Sequence, residues 1–570
     1  MSISKLLKHN KFNGYIFVLF LVSLFLVIPV FIGYSNGDDA AFHLSNIIIR
    51  SDSLFDFPWK ILPNVMNNLG YGTGIFYPSL PHMFGGALLF VLENIGINAI
   101  EVLGILKFAI ILFSGLSMYF FAKKLFNDNS KGMMAAIFYI TSSYFFVDLY
   151  VRDSLNESFI FIFMPVIFLG LYYLFEMDDY KKFYALFVVG YTMMMNCHLV
   201  MSVWFTLFLM IFILFNIKKV IMWKYLKHLI LSSILILILT STFWVPMVQQ
   251  MFYGNNVIFK VPPIPSSFET ISLEHFFFRE NYKRFIVTFN FILLILFVIT
   301  LYRIFKNKID FSRKKYILTF LIILILSLFF VSCSFIWDYI PSMLLSIQFP
   351  WRLISFAVFS LAILACDGLD NVYHIFKSKY IILAKVGIIV ILMFDCYQNM
   401  SLISYDTGTT NKIKNMSAEK TDDVLLEDNI WAAPGYSFEY LNREAMGFRD
   451  YLNSRDCNEI KVIEGKAKIK VIENDVPKMT FKASNVSKGT VLELPRIYYL
   501  GYKIKNSDGN IIDYSLNEQG LIIIPIDKNG VYEVTYPGTA AYNLALVIKG
   551  LTIDIICVII IIWLVRRRKA

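Results

Sequence analysis

The feature that most constrains the fold of this chain is a series of long, mostly apolar segments. Residues 15–32 and 229–247 are two examples, and each is close in length to the ~20 residues that a helix needs to cross the ~30 Å hydrocarbon layer of a membrane. Hydrophobic residues make up 57% of the 570, and charged residues make up only 16%, whereas soluble domains carry roughly 25%. The sequence therefore predicts a polytopic membrane protein and excludes a soluble globular chain.

The positions of lysine and arginine predict the orientation of the chain, because these residues collect in cytoplasmic loops. With the N-terminus inside, most basic residues of the loops and the basic end, 566–569, also lie inside. The net charge of +10 is explained in this way, without a nucleic-acid partner. Both termini are predicted to be cytoplasmic. The twelve predicted spans are residues 14–34, 101–121, 132–148, 157–175, 183–198, 200–216, 227–247, 285–303, 316–334, 351–369, 380–398 and 542–565.

The hydrophobic segment 79–96 is predicted to be an interfacial or re-entrant helix rather than a span. It is short, and it carries Pro81, His82 and Glu93. A crossing at this point would turn every later basic loop outward, against the charge pattern. We therefore place this segment inside a long first outer loop, at about residues 35–100.

The stretch 400–541 has a different composition and predicts a small, β-rich sandwich outside the membrane, before the last span. Turn signals such as Lys528-Asn529-Gly530 separate alternating runs, and residues 521–526 and 531–536 are predicted to form a hairpin around that turn. The predicted domains are thus a helical membrane domain (1–399), a β-rich domain (400–541), and a final helix with a basic tail (542–570). Six scattered cysteines without a CxxC spacing indicate no metal or redox framework.

Ionisable residues are informative in a membrane protein because each costs about 2.5–3.5 kcal/mol at membrane depth. The first cluster on the predicted outer side holds Asp38, Asp39 and His43, just after the first span. A carboxylate there is suited to deprotonating an acceptor hydroxyl or to binding a divalent cation together with His43. The alternative is structural, with Asp38 or Asp39 capping a helix.

Two further clusters lie on the same predicted side. Residues 148–157 bring Arg152, Asp153 and Glu157 together in an otherwise apolar region, and Gln348 and Arg352 stand at the start of the tenth span. An arginine suits phosphate because its planar fork bonds two oxygens, although an interfacial Trp/Arg anchor explains Arg352 equally well. Three more residues on this side are candidates: Lys107 in the outer part of the second span, which either snorkels or contacts phosphate, and the histidines His82 and His198.

Together these residues resemble the bacterial membrane proteins of the "6-pyruvoyl-tetrahydropterin synthase-related", YfhO-like type. The resemblance is carried by residues 37–43, 71–82, 152–157, 348–352, 431–436 and 494–502. That family looks like a branch of the GT-C glycosyltransferases, which implies a helical membrane bundle of that type. The pterin name gets no support from the residues, because the seven histidines are spread over both predicted sides of the membrane.

The resemblance also implies roles. A catalytic base would be Asp38 or Asp39, and Asp153 or Glu157 would support it or bind a metal. Arg152, Lys107 or Arg352 would hold the phosphate of the donor. The aspartates are adjacent, whereas better-studied members have a spacer residue between their acidic residues, so the acting aspartate and the need for a divalent cation stay open. The predicted substrate-binding residues are His43, Tyr77, His82, Lys107, Arg152, His198, Gln348 and Arg352, and the metal candidates are Asp39, His43 and Glu157.

The leading hypothesis is a membrane glycosyltransferase that uses a polyprenyl-phosphate sugar and an acceptor on the outer face: a cell-envelope glycan, a teichoic acid or a protein. A transporter or lipid flippase is the second hypothesis, but such proteins carry charged or broken helices deep in the membrane, often in matching halves, and no such pairing is found. The third is a non-catalytic assembly protein of the cell envelope, in which the β-rich domain does the work.

Overall fold

The structure is a computed structural model that describes residues 3–35, 37–55, 61, 69–253, 269–279, 286–341, 344–375, 378–405, 440–476 and 478–569. Over these residues the protein is mostly helical, and a separate β-sheet domain lies near the C-terminus. The predicted fold class is confirmed. Residues 431–436, which contributed to the family resemblance, lie outside the described residues.

The described residues contain eight helices that are long and apolar enough to cross a membrane, as a multi-pass membrane protein requires. They are Gly14–Ile32, Ala99–Phe126, Leu155–Met177, Trp223–Tyr253, Arg313–Ser332, Pro350–Asn371, Tyr380–Met400 and Ala540–Arg566. A ninth is the pair Asn129–Ile140 and Ser143–Val151, bent by 54°, if the pair counts as one span.

The remaining predicted spans, 183–198, 200–216 and 285–303, form shorter helices. In the first of them, Tyr180–Phe183, a π-helical turn Tyr184–Val188 and Val189–Cys197 follow one another without a break. The other two are Leu199–Phe215 and Phe291–Phe305. A helix rises only 1.5 Å per residue, so by length alone these helices fall short of a ~30 Å layer. The predicted interfacial segment 79–96 is also helical but short, with an α-helix at Leu80–Leu92 and a single tight turn at Glu93–Ile95.

The chain divides into two compact units. The first consists of Met1–Leu44, Val91–Ile234 and Pro262–Leu425, and the second of Ser45–Phe90, Leu235–Val261 and Leu426–Ala570. The domain division at residues 400 and 541 stays a prediction.

In chain order the helices are α1 Ile3–Leu26, α2 Ile28–Ile32, α3 Ala40–Asp52, α4 Thr73–Phe76, α5 Leu80–Leu92, α6 Ala99–Phe126, α7 Asn129–Ile140, α8 Ser143–Phe146, α9 Leu155–Ser158, α10 Ile160–Met177, α11 Tyr180–Phe183, α12 Val189–Cys197, α13 Leu199–Phe215, α14 Ile217–Val220, α15 Trp223–Tyr253, α16 Phe291–Phe305, α17 Phe311–Ser332, α18 Ile354–Ile375, α19 Ser378–Met400, α20 Arg449–Ser454 and α21 Ala540–Lys569.

In the first unit, local signals in the sequence set the beginning of several helices. Asn98 caps α6: its side chain accepts from the Glu101 amide, and the Glu101 carboxylate accepts from the Asn98 amide. Asp128 caps α7 by accepting from the amides of Ser130 and Lys131. Such caps satisfy amides that have no partner within the helix and stabilise it by about 1 kcal/mol each.

An ion network ties four helices of the first unit together. Arg303 of α16 bonds Asp367 and Asp370 of α18 at 2.9 and 2.8 Å, and Arg313 of α17 lies 3.4 Å from Asp370. Lys131 of α7 also bonds Asp370. Asp367 is fully buried, so removal of its partners would leave a buried charge uncompensated.

The β domain of the second unit consists of two antiparallel sheets. The strands are β1 Lys461–Glu464, β2 Lys468–Asn474, β3 Lys478–Ser484, β4 Thr490–Ile497, β5 Lys503–Lys505, β6 Ile511–Ile512, β7 Ser515–Leu516, β8 Leu521–Ile526 and β9 Gly530–Thr535. One sheet has the strand order β1-β4-β8-β7 and the other β2-β3-β9-β5-β6. Buried Met479, Phe481 and Ala483 alternate along β3, and the ring of Phe481 stacks on that of Tyr532 in β9, with centres 5.3 Å apart.

The predicted hairpin between residues 521–526 and 531–536 is wrong, although both strands form. β8 pairs with β4 and β7, whereas β9 pairs with β3 and β5. The turn therefore carries the chain from one sheet to the other. The side chain of Asn529 in this turn accepts from the Val486 amide at 2.9 Å, which ties the turn to the connection between β3 and β4.

A glycine permits the close approach of α16 and α18. A Cβ atom at Gly368 would lie 2.2 Å from the backbone oxygen of Leu296. We expect Gly368→Ala to force the helices apart and to lower the free energy of unfolding by about 1–3 kcal/mol, as overpacking does. Thermal unfolding in detergent measures this effect. The matched control is Gly387→Ala in α19, where a Cβ would meet nothing within 4 Å, and an equal loss of stability in both variants would contradict the packing argument.

Candidate functional site

The second charged cluster of the sequence lies on an unusual turn of the first unit. After α8 the backbone passes into a π-helical turn, Val147–Val151, and Asp153 then adopts a left-handed conformation with φ of 59°. Both features are uncommon and are often found at functional sites. They turn the side chains of Asp148, Arg152 and Asp153 into the interior, where each is at most 2% exposed.

Arg152 is the centre of a buried ion network. Its guanidinium bonds Asp148, and its Nη1 lies 2.7 Å from Oε2 of Glu157. The Nη2 atom lies 3.8 Å from Oδ2 of Asp39, and the guanidinium carbon sits 4.5 Å from the centre of the Trp351 ring. Because an isolated buried charge costs several kcal/mol, these carboxylates and the ring are what keep Arg152 inside.

Glu157 joins Arg152 to a second arginine. Its Oε2 atom lies 3.2 Å from Nε of Arg352, and its Oε1 atom accepts from the Tyr144 hydroxyl at 3.1 Å. Arg352 also donates to the Ile347 carbonyl at 3.0 Å. Both oxygens of Glu157 are therefore engaged by the protein itself.

A second pair lies beside this network. Nζ of Lys107 lies 2.7 Å from Oδ1 of Asp153 and donates to the Ser35 hydroxyl at 3.1 Å, while Ser35 in turn donates to Asp153. The side chains of Lys107 and Asp153 are 5% and 1% exposed. Burial raises the pKa of Asp153 above its ordinary value, and the positive charge of Lys107 opposes that rise.

Close backbone contact brings the first acidic cluster to the second. A Cβ at Gly37 would lie 2.5 Å from Cβ of Asp153, so glycine alone permits this approach. The amide of Asp39 then donates to the Arg152 carbonyl at 2.8 Å. The sequence placed these clusters on the same predicted side of the membrane. In the structure one connected group in the first unit consists of Asp39, Lys107, Arg152, Asp153, Glu157 and Arg352.

The carboxylates of this group differ in their exposure. The side chain of Asp39 is 39% exposed, whereas those of Asp153 and Glu157 are at most 1% exposed. Asp38, the neighbour of Asp39, is also exposed. An external molecule can therefore reach the two adjacent aspartates, while Asp153 and Glu157 are occupied by cations of the protein.

The two histidines of the site are enclosed. Burial lowers the pKa of His43 to about 4, with Asp39 opposing the shift and Arg152 and Lys107 adding to it. Burial likewise lowers the pKa of His198 to about 3, and its Nδ1 accepts from the Met201 amide at 3.3 Å at the start of α13. Both imidazoles are neutral near pH 7.

The other predicted residues are placed as follows. Gln348 precedes Arg352 in the first unit and has a positive φ of 62°. Tyr77 and His82 belong to the second unit, where their rings stack with centres 5.9 Å apart. The substrate-binding role of these three residues stays a prediction.

Three partners of the network were not among the predicted site residues: Ser35, Tyr144 and Asp148. The sequence signal for Asp148 is its spacing of four residues from Arg152, a distance at which side chains meet on one side of a helix. Tyr144 stands four residues earlier in the same helical segment. Ser35 gives no signal, because only the folded chain brings it to Asp153.

The residues Asp39, His43 and Glu157, the candidates for a divalent cation whose need the sequence left open, do not form a metal site in the structure. Over the described ranges, no three or more His, Cys, Asp or Glu side chains lie close enough together to hold a metal ion. A metal needs carboxylate oxygens with free lone pairs, whereas both oxygens of Glu157 are engaged by Arg152, Arg352 and Tyr144.

The fold and the site thus define a multi-pass membrane protein with a buried ion network beneath an exposed carboxylate. No protein-family model matches the chain. An uncharacterized protein of Lactococcus lactis subsp. cremoris (strain MG1363) is 24% identical over 221 residues, which cover 37% of this chain and 35% of that protein. The match thus spans about a third of the length of that curated relative.

Among solved structures, the chain is similar to the oligosaccharyltransferase of Archaeoglobus fulgidus. The apo form has a TM-score of 0.42 and 12% identity, covering 73% of this chain and 60% of that one. The form tethered to an acceptor peptide has a TM-score of 0.44 and 12% identity, covering 73% and 59%. Oligosaccharyltransferase AglB of that organism, in complex with an inhibitory peptide and a dolichol-phosphate, has a TM-score of 0.35 and 13% identity, covering 74% and 60%. These scores are too low to carry an argument about function.

The buried histidine His43 predicts a pH dependence of stability. Its pKa is about 4 in the folded protein and about 6.5 in an unfolded chain, so unfolding takes up a proton between these values. The free energy of unfolding therefore falls as the pH drops from about 6.5 to 4, by about 1 kcal/mol per pH unit for this residue.

We expect His43→Gln to flatten this dependence in thermal unfolding measured from pH 7.5 to 4.5. The matched control is His275→Gln, since His275 is partly exposed and lies outside the network. An unchanged pH slope in the His43 variant would show that His43 is not the group that takes up the proton.

Proposed function

We propose that this protein is a membrane-embedded glycosyltransferase that moves a sugar from a polyprenyl-phosphate donor to an acceptor on the outer face of the membrane. The observation that carries the proposal is Asp39, a partly exposed carboxylate 3.8 Å from the buried guanidinium of Arg152. Transfer of a sugar needs a base for the acceptor hydroxyl and positive charge for the departing phosphate. Asp39 and the neighbouring arginines offer both.

The reaction has simple roles for these groups. The acceptor oxygen forms a bond to the anomeric carbon of the sugar, and its proton goes to the Asp39 carboxylate. The bond between that carbon and the phosphate oxygen breaks, and the lipid phosphate leaves with the electron pair. Arg352, with its side chain 11% exposed, and the more deeply buried Arg152 stabilise that negative charge.

The buried acidic residues act through these cations. Glu157 holds both arginines in place, and Asp153 holds Lys107, so the positive charges are fixed before a substrate binds. Fixed charges need no rearrangement during the reaction, which is why such sites are effective. Asp153 and Glu157 are therefore positioning residues in this proposal, and Asp39 is the base.

The identity of donor and acceptor rests on the family resemblance of residues 37–43 and 348–352. It supports a polyprenyl-phosphate carrier and an acceptor in the cell envelope, which is a glycan, a teichoic acid or a protein. In the same proposal both termini are cytoplasmic and residues 400–541 lie outside, as the basic residues of the loops indicate. Membership of the YfhO-like family is part of this proposal.

The central test is Asp39→Asn, with Asp38→Asn as the matched control because it makes the same change one residue away. The purified protein in liposomes is given a panel of radiolabelled polyprenyl-phosphate monosaccharides together with cell-envelope acceptors. Loss of the base should lower kcat by about 10²–10⁴-fold in the Asp39 variant. The Asp38 variant should stay within about threefold of the wild type.

Two results would contradict this assignment. Full activity of both aspartate variants would show that neither aspartate is the catalytic base. Movement of the labelled lipid across the liposome membrane without any covalent product would instead indicate a flippase.

A second test concerns the divalent cation. Because the carboxylates beside Asp39 are bound by Lys107, Arg152 and Arg352, we expect EDTA to leave the rate of sugar transfer within about twofold of the untreated enzyme. The control is addition of Mg²⁺ or Mn²⁺ in excess of the chelator. If the rate of sugar transfer falls strongly with EDTA and returns with either metal, then a metal cation binds these carboxylates in place of the basic side chains of the protein.

A further inference from the structure

The last helix, α21, is the least enclosed of the candidate spans. Only 6% of the residues in its most apolar stretch are buried, against 94% in the span Pro350–Asn371. One side of α21 contacts α15 within the second unit: Nζ of Lys549 donates to the Thr242 hydroxyl at 3.1 Å, and Ser241 donates to the Ala545 carbonyl at 3.5 Å. The rest of the helix faces outward.

The outward residues of α21 are not uniform. Between residues 541 and 562 nearly all exposed side chains are aliphatic, and the exceptions are Asn543, Gly550, Asp554 and Cys557. With Val547 and Ile561, which are 57% and 58% exposed, these exceptions form one stripe with the alternating spacing of four and three residues. That spacing is the seam of a helix pair. At 100° per residue the centre of the stripe lies about 120° from Lys549 and about 160° from Ala545, away from α15.

Asp554 makes this stripe energetically important. It stands near the middle of the candidate span Ala540–Arg566, is exposed, and has no hydrogen bond or ion pair to any residue that the structure describes. A carboxylate that faces lipid at this depth costs about 2.5–3.5 kcal/mol. A second helix that covers the stripe and bonds the carboxyl group would recover much of this cost.

We propose that this stripe is the interface with a second copy of the chain. All copies insert with the same orientation, so two α21 helices meet in parallel and equal residues lie at equal depth. The Asn543 amide is both donor and acceptor, and so is a carboxylic acid group, so the residue types at both polar positions are able to pair with their own copy. Gly550 has no side chain and permits close approach of the backbones.

The native Cys557 reports this interface directly. In a Cys333→Ser/Cys457→Ser background, the full-length chain in its native membrane is oxidised with copper phenanthroline. In a parallel pair the two Cys557 thiols face each other, and we expect a disulfide-linked dimer. The matched control moves the cysteine to the other side of the helix with Cys557→Ser/Ile559→Cys, since Ile559 is also exposed (60%). No cross-link at 557, or an equal yield at 559, would overturn the proposal.

Asp554 gives an independent test. The Asp554→Leu substitution removes a charge from lipid and so does not threaten folding, but it should weaken self-association by about three- to tenfold, the usual effect of one hydrogen bond between membrane helices. Asp554→Asn keeps a self-complementary group and should retain the dimer. The self-association of both variants is measured by energy transfer between two differently labelled copies as the protein is diluted with lipid.

Self-association that is unchanged in Asp554→Leu would overturn the proposal. Pairing of α21 with a different chain that carries a basic residue would do so as well, and would show as a failure of Cys557 to link to itself. Neither result bears on sugar transfer, because the interface is independent of the Asp39 site.

Discussion

The contact between the Arg152 guanidinium and its carboxylates is the constraint on which the site depends. Asp148 comes from the π-helical turn, Glu157 from the following helix, and Asp39 from the loop after the first span. The cation cannot stay buried without them, and the two buried carboxylates cannot stay charged without the cation. Three segments of the chain are thereby fixed around one group, and Asp39 is the one carboxylate of the three that remains open to another molecule.

This arrangement explains how a chain dominated by apolar helices tolerates so many ionised groups in one place. The three buried acidic residues, Asp148, Asp153 and Glu157, are matched by three basic ones, so little net charge is carried into the interior. The basic residues are Lys107, Arg152 and Arg352. A transport pathway usually has ionisable groups at the middle of the membrane. Here the open carboxylate comes directly before α3 and just after the first candidate span, and on this ground we prefer the proposed sugar transfer to transport.

The sequence was a good guide wherever the physical signal was local. Apolar length predicted the helical fold, and the cost of charges at membrane depth marked Asp39, Arg152 and Glu157. It failed where pairing depends on distant residues. The contact of Ser35 with Asp153 joins residues 118 positions apart, and no spacing rule encodes it. For the same reason the turn at Asn529 suggested a hairpin, although β8 and β9 find their partners in different sheets.

Ion pairs between side chains hold the helix α18 at both of its ends. Arg352, in the single turn Pro350–Leu353 that leads into α18, pairs with Glu157. Near the other end, Asp367 and Asp370 of α18 pair with Arg303. Because ion pairs hold both ends of this helix, the helix cannot tilt without breaking one of them. α18 is therefore a fixed reference for the cluster of charges. If the proposed lipid-linked donor binds, an opening for its chain is expected at less enclosed helices such as α19, in which only 11% of the most apolar stretch is buried.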